Sequence, residues 1–456
     1  MTIWCPVLPE GEGPIYKALA DAIARAIETG EFHPGDQLPP QRDLADALGV
    51  ALTTVSRAYA MAERRGLVRG EVGRGTFVRS RVGHLSAEGD PGIVDLRFNT
   101  LLPWSQGPEL LDSMARLLTA GDPAVLFGYG LHRGAGRHRE AGASWMDRAG
   151  LATSPEQVLL TVGVQHALTV VLATLTEPGD TVLVEEVTYA GMRTLANVLG
   201  VRLVPVELDR EGLVPDRLRE ACARHRPPPK ALYCMPTLQN PTSAVMGDER
   251  RREIAAIVNG AGVPLLEDDS YGFVLPDIVP LSTHVDQAYY LVGTSKPLLP
   301  GLRIGYLRAP AAMVGRLEAV LAATVYATSP IMAEVAAQWI ADGTADRVMA
   351  WKREQFALRQ RRAFDLLGDG DYRSHPRSPH GWLRLPEPWT ALDFVAQARL
   401  HQVVVAPADE FSVARDAPHA VRLCVGPAPS QAALERALTV LAGMVAQAPE
   451  AGRVMV

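Results

Sequence analysis

An amine beside a glycine turn is a candidate nucleophile, and Lys296 sits in the run Gly293-Thr294-Ser295-Lys296 with Gly301-Leu302-Arg303-Ile304-Gly305 shortly after. The pair suits a Schiff base to a phosphorylated aldehyde: the amine attacks the carbonyl and Arg303 makes a two-pronged bond to the phosphate. Taken alone, the run also reads as a lysine on a surface turn. Gly163-Val164-Gln165 stands between a strand-like and a helix-like stretch, where unpaired backbone N–H groups receive phosphate. Asp268 and Tyr271 lie three apart, past another strand-like stretch. A carboxylate there pairs with a protonated ring nitrogen, and a phenol hydrogen-bonds a phenolate oxygen; a loop carboxylate and a half-buried ring are the plainer readings. Asn240-Pro241-Thr242 reads equally as a turn, and Tyr189 as a core ring. Arg422, inside a short apolar strand, calls for an anionic partner.

In chain order these are a phosphate loop, an aromatic ring, Asn-Pro, Asp-x-x-Tyr, lysine, arginine and a late strand arginine. Together they are the parts that a pyridoxal phosphate site needs, including an electron sink. The elements that must position them alternate along the chain. Short β-branched runs at 158–162, 181–185, 202–206, 231–235 and 263–267 are separated by Ala- and Leu-rich helical stretches such as 166–175. That alternation implies a mostly parallel sheet covered by helices on both faces. From about residue 310 the helices lengthen, and a smaller α+β portion follows, with Gly381-Trp382-Leu383 and Val403-Val404-Val405 as strands.

At 456 residues, with 47% hydrophobic and 21% charged residues, the chain has the composition of a globular protein with more than one domain. It lacks a run of 18 uncharged apolar residues and a basic-then-apolar N-terminus, which points away from membrane spans and secretion. Cys5, Cys222, Cys234 and Cys424 form no CxxC pair and read as reduced thiols, so the expected location is cytoplasmic.

The net charge of −6 conceals a local asymmetry near the N-terminus. Residues 11–56 carry Lys17, Arg25 and Arg42 against seven acidic groups, whereas residues 57–81 carry seven arginines against Glu63 and Glu71. Ile15, Leu19, Ile23 and Ile27 predict a first helix. Pro39 and Pro40 open a second, with Leu44, Ala47 and Leu48 as its apolar face. Gly49 makes the turn, Thr53 or Thr54 starts a third helix through Val55, Tyr59 and Ala62, and residues 67–78 form a hairpin. Two helices about a glycine turn, then a basic hairpin, are the layout of a winged helix-turn-helix whose third helix enters the major groove. A small helical cap with solvated arginines is the alternative.

The segment resembles the GntR family DNA-binding domain in Pro14-Ile15-Tyr16, Gly30-x-x-x-Pro34-Gly35-x-x-Leu38-Pro39, Arg42-x-Leu44-Ala45-x-x-Leu48-Gly49-Val50, Thr54-Val55, Ala58-Tyr59 and Gly73-x-Gly75-Thr76-Phe77-Val78. The resemblance implies that Arg42, Thr53, Thr54, Ser56, Arg57 and, in the wing, Arg74 face double-stranded DNA. It departs at Ala51-Leu52, where the family has a Ser/Thr-Arg pair, so a helix cap and a contact are lost. Over residues 95–445 the order of motifs resembles fold type I aminotransferases. That resemblance implies that Gly163, Val164, Gln165 and Arg303 hold the phosphate, Tyr189 stacks on the pyridine ring, and Asn240 and Tyr271 bond the ring oxygen. Asp268 then bonds the ring nitrogen, Lys296 forms the internal aldimine, and Arg422 binds an effector carboxylate. Tyr129, ahead of Arg133-Gly134 and Arg139, resembles the tyrosine that reaches a neighbouring subunit's phosphate, which implies a homodimer. Gly293 stands where such sequences carry a hydroxyl, thinning the phosphate cradle.

Joined, the two halves resemble the MocR subfamily of GntR-type transcriptional regulators. The expected organisation is a DNA-binding domain at 11–79, a linker at 80–92 and an aminotransferase-like domain at 93–450. The expected function is a nucleoid-associated regulator that binds an operator of two half-sites and senses an amino acid, an amine or the cofactor through Lys296. A pyridoxal phosphate-dependent aminotransferase with an appended DNA-binding domain is the rival reading.

Overall fold

The structure is a computed structural model that describes residues 4–6, 14–28, 31–32, 36–64, 67–71, 75–78, 92–100, 107–368, 371–414 and 416–446. Arg74 and residues 80–91 of the expected linker lie outside the described residues. The chain forms two compact units, Met1–Pro91 and Gly92–Val456. No helix among the described residues is long and apolar enough to cross a membrane.

In the first unit, α1 (Ile15–Glu28) buries Leu19 and Ile23, one turn apart, while Ile15 stays half exposed. α2 (Gln41–Leu48) begins after Pro40, which sits at the N-cap rather than inside the first turn. It buries Leu44 and Ala45; Ala47, expected on the apolar face, is exposed, because the face is turned toward Ala45. α3 (Leu52–Arg64) starts just ahead of the expected threonines, the Thr54 and Val55 N–H groups donating to the Ala51 carbonyl. The strands β1 (Val68–Glu71) and β2 (Gly75–Val78) pair antiparallel, and the Leu38 N–H donates to the Thr76 oxygen, tying the segment before α2 to the hairpin. Leu19, Ile23, Leu38, Leu44, Val55 and Val78 close one small core.

The second unit is built on a seven-stranded sheet. Its order is Val158–Thr161, Gly305–Arg308, Ala288–Gly293, Leu265–Asp268, Ala231–Cys234, Thr181–Glu185 and Arg202–Val206. Gly305–Arg308 runs antiparallel to both its neighbours and the other strands are mutually parallel. Five of the strands are buried along their whole length, as a sheet covered on both faces requires. The strand expected at 263–267 is displaced to Leu265–Asp268. Pro264 has no N–H for the ladder, although its carbonyl accepts from Leu232 at 2.8 Å.

The helix Thr344–Leu367 leads to a smaller antiparallel sheet of Tyr372–Arg373, His380–Arg384, Ala420–Cys424 and Ala406–Pro407. Val403–Val404 pairs instead, in parallel, with Val94–Asp95. The chain then continues alongside the small sheet, the Cys424 N–H donating to the Leu96 oxygen at 2.8 Å. This pairing carries Arg97 and Asn99 to the mouth of the large sheet.

Candidate functional site

In the first unit Arg42, Thr53 and Arg57 are exposed, and Thr54 and Ser56 are half-buried. The Ser56 hydroxyl donates to Gln41 Oε1 at 2.7 Å, so one of the expected DNA-facing groups also joins α3 to the start of α2. The Tyr59 hydroxyl, donating to the Pro39 oxygen at 2.8 Å, makes a second such tie. Arg57 is the one arginine of the basic cluster at 57–81 whose side chain is described.

In the second unit the expected residues gather at the carboxyl ends of the parallel strands, where ligands collect in such sheets. Gly163 is the N-cap of the helix Val164–Leu175, with φ +77°. A β-carbon there would lie 2.9 Å from Arg303 Nη2, so the glycine lets the guanidinium lie against the helix start. Arg303 donates to Ser295 Oγ at 3.2 Å and to the Val162 oxygen at 3.3 Å. A helix N-terminus, a guanidinium and a hydroxyl thus share one corner. Gly191 gives a similar clearance: a β-carbon on it would come within 2.4 Å of the Tyr189 ring and 2.5 Å of Gln165 Oε1.

Asp268 is the last residue of its strand and is buried. One carboxylate oxygen accepts from the Ser270 N–H (3.0 Å) and hydroxyl (2.6 Å), the other from the Tyr233 hydroxyl (3.1 Å). Burial pushes its pKa up, and those hydrogen bonds and the charge of Lys296 oppose the rise. The Lys296 amine donates to the main-chain oxygen of Asn99 at 2.8 Å. Desolvation lowers its pKa to about 8, with Arg422 and Arg303 adding to the fall and Asp268 opposing it. The neutral, nucleophilic amine is therefore far more accessible than for an ordinary lysine.

Asn99 also donates through Nδ2 to the Tyr271 hydroxyl (2.9 Å) and pairs with His380 Nδ1 (2.8 Å). His380 Nε2 bonds the Gln239 oxygen at 3.0 Å; that carbonyl can only accept, so Nε2 carries the proton and Nδ1 is the acceptor. Burial drops the imidazole to about 3, so it stays neutral. Arg422 donates to Asn240 Oδ1 at 2.9 Å and to the Arg97 oxygen, and lies 4.6 Å from the centre of the Phe411 ring. Its partners are neutral: the anion expected beside this arginine is not among the described residues. Tyr129 stands apart from this group, 95% exposed, its ring packed edge-on against Tyr326.

Three buried polar atoms of the site have no partner among the described residues: Asn99 Oδ1, Gln165 Oε1 and Arg422 Nε. With the phosphate corner and the Lys296–Asp268 pair, they fit a phosphorylated pyridine aldehyde and a second, polar ligand.

Sequence reasoning did not single out Asn99, Tyr233, His380 or Lys352. The Lys352 amine donates to the main-chain oxygens of Lys296 (2.8 Å) and Leu298 (2.6 Å), clamping the segment that bears the nucleophile. Its signal was faint: Lys352 falls in the buried stripe Val348, Lys352, Phe356, Arg359, Gln360 and Ala363 of its helix, where it is one of three polar residues. Asn99, Tyr233 and His380 reach the site by tertiary pairing and carry no local motif.

Residues 93–441 match the family "Aminotransferase class I and II", and residues 15–78 match "Bacterial regulatory proteins, gntR family". The chain is 31% identical to the uncharacterised HTH-type transcriptional regulator YdeF of Bacillus subtilis over 96% of each chain. It is 26% identical to the probable rhizopine catabolism regulatory protein MocR of Rhizobium meliloti over 77% of each. Among solved structures, LysN of Thermus thermophilus, an α-aminoadipate aminotransferase complexed with N-(5'-phosphopyridoxyl)-L-leucine, superposes with a TM-score of 0.69. It is 23% identical, over 77% of this chain and 92% of that one.

Proposed function

We propose a function from one premise: the chain belongs to the HTH-type transcriptional regulators, of the MocR subfamily, that join a GntR DNA-binding domain to an aminotransferase class I and II domain. The cofactor that fits its donor set is pyridoxal phosphate. When bound, this group supplies an electrophilic carbon for amines and an electron-withdrawing ring. In our reading the helix start at Gly163, Val164 and Gln165 holds the phosphate together with Arg303. Tyr189 would stack on the pyridine ring, and Asn240 and Tyr271 would bond its ring oxygen. Asp268 would hold a proton on the ring nitrogen, and Lys296 would supply the amine that holds the cofactor. Arg422 receives the carboxylate of an incoming amino acid, exchanging the neutral oxygens of Asn240 and Arg97 for a charged partner.

The protein then acts as a sensor. An amine or amino acid competes with Lys296, and the regulator's DNA affinity changes because the two states bind the ligand unequally. In the DNA-binding domain, Arg42, Thr53, Thr54, Ser56 and Arg57, with Arg74 in the wing, face the operator, and a homodimer reads two half-sites. Tyr129, 95% exposed in the single chain, fits the role of a residue offered to a neighbouring subunit.

The observation that carries this reading is the buried Lys296 amine, held on the Asn99 main-chain oxygen at 2.8 Å within the field of Asp268, Arg303 and Arg422, in a chain that also bears a DNA-binding domain. Lys296→Ala tests it. The variant is expected to lose the visible cofactor band, keep operator binding, and lose the change in DNA affinity caused by amino acids or small primary amines. A response that survives the substitution sinks the proposal. The same donor set could support transamination, so turnover is assayed with several amino donors and keto acids; sustained turnover at ordinary enzymatic rates would make the chain an enzyme rather than a sensor.

A further inference from the structure

Asp269 follows the residue assigned to the ring nitrogen, yet its carboxyl belongs to another pocket. The strand alternates sides, so Glu267 and Asp269 face away from Asp268. Beside Asp269 is a cavity of about 200 Å³, walled by Trp145, Phe273, Tyr290 and Met349. An apolar cavity of roughly 150 Å³ already accommodates benzene.

Asp269 is 5% exposed. Its Oδ2 accepts from the Tyr290 hydroxyl, whereas Oδ1 has no partner among the described residues. The cations that line the cavity are already engaged. Arg148 pairs with Asp346 at 2.9 Å, and Arg353 donates to the Phe273 oxygen at 2.9 Å. Burial raises the Asp269 carboxyl to about 7, with the negative charges of Glu267 and Asp268 adding to the rise and the Tyr290 hydroxyl and the Arg251 charge opposing it. A buried carboxylate oxygen without a donor costs free energy that a cation would recover. Aromatic walls supply a further attraction for positive charge.

We propose that this cavity is a second ligand site, distinct from the Lys296 site, that takes a small organic cation with a compact apolar body, its charge drawn to the Asp269 carboxyl and its body against Trp145, Phe273 and Met349. The cavity shares main chain with the cofactor site, since Pro297, which follows Lys296, is part of its wall, and Met349 and Arg353 flank Lys352 on one helix.

Benzamidine serves as the probe because its amidinium does not exchange with a lysine-bound aldehyde as a primary amine does. Its binding to the full chain, saturated with pyridoxal phosphate, is measured by calorimetry beside uncharged benzyl alcohol. One benzamidine per chain is expected, at least tenfold tighter than benzyl alcohol. Asp269→Asn, which keeps the shape and removes the charge, should weaken benzamidine at least tenfold and leave benzyl alcohol little changed. Met349→Trp, which fills the cavity without touching the charge, should exclude both and serves alone if Asp269→Asn does not fold. Equal affinity for the two probes, or benzamidine binding unchanged by Met349→Trp, overturns the proposal. Because Lys296 takes no part in it, repeating the titration on Lys296→Ala separates its failure from failure of the sensing reading.

Discussion

Lys352 donates to the main chain on both sides of Pro297 and is only 1% exposed. Desolvation, and then the charge of Lys296, lowers its pKa from 10.5 to about 7. In the unfolded chain the amine keeps its proton up to the ordinary lysine value, so between about 7 and 10.5 the unfolded state holds the extra proton. Stability linked to this group is therefore fully present above the upper value and lost as pH falls through that window. Lys352→Met, similar in volume, removes the linkage. In the cofactor-free chain, the slope of unfolding free energy against pH should drop by roughly 1.4 kcal/mol per pH unit between pH 8 and 10 relative to wild type. Denaturant titrations at several pH values read this directly. Parallel wild-type and variant slopes would mean that Lys352 keeps its proton when folded. The same residue marks how far the site was legible. Lys296, Asp268 and Arg303 announce themselves through local motifs, because a turn or a strand end needs contiguous residues. Lys352 was legible only as a charge at core-facing spacing in its helix, beside Arg359 and Gln360. Asn99 and His380 were invisible, because their chemistry depends on contacts 281 positions apart in the chain.

At the scale of elements, α3 carries the expected DNA-facing groups and begins without a side-chain cap. The Thr54 and Val55 N–H groups turn to the Ala51 main-chain oxygen, and Ala51 itself has no side-chain acceptor. A serine at that position adds one, and N-cap hydroxyls contribute about 1 kcal/mol. Ala51→Ser should thus raise the unfolding midpoint of the DNA-binding unit, followed in the full chain by hydrogen exchange at the α3 amides. Unchanged protection of Thr53 and Thr54 would show that the hydroxyl finds no amide to cap. The helices and parallel strands were readable to within a residue or two, because burial on one face gives a helix its period and burial on both faces gives a strand a continuous apolar run. What could not be read was pairing between distant segments. Gly305–Arg308 inserts antiparallel between two parallel strands, and Val403–Val404 joins Val94–Asp95 rather than the small sheet. Both pairings set the site, the first by placing Arg303 near Gly163 and the second by delivering Asn99 to Lys296.

For the whole molecule, a regulator of this kind is tested by reciprocity rather than by either site alone. If an amine acting at Lys296 changes operator affinity by some factor, thermodynamic linkage requires operator DNA to change the amine's affinity by the same factor. A tenfold effect corresponds to a coupling of about 1.4 kcal/mol. The two halves of the cycle have independent readouts: the visible cofactor band reports the amine, and fluorescence anisotropy of labelled operator reports DNA. Both are run at one salt concentration, because phosphate contacts make DNA affinity fall steeply with salt. The expected outcome is equal factors in the two directions. An amine that shifts the cofactor band but whose affinity ignores saturating operator would leave Lys296 a binding residue with no regulatory consequence, however tightly each ligand binds. Unequal factors would instead mean that the amine acts on DNA affinity through a place other than the cofactor site. The cavity at Asp269 is the first alternative, because Met349→Trp blocks it without touching the cofactor residues. Repeating the cycle in that variant separates the two routes.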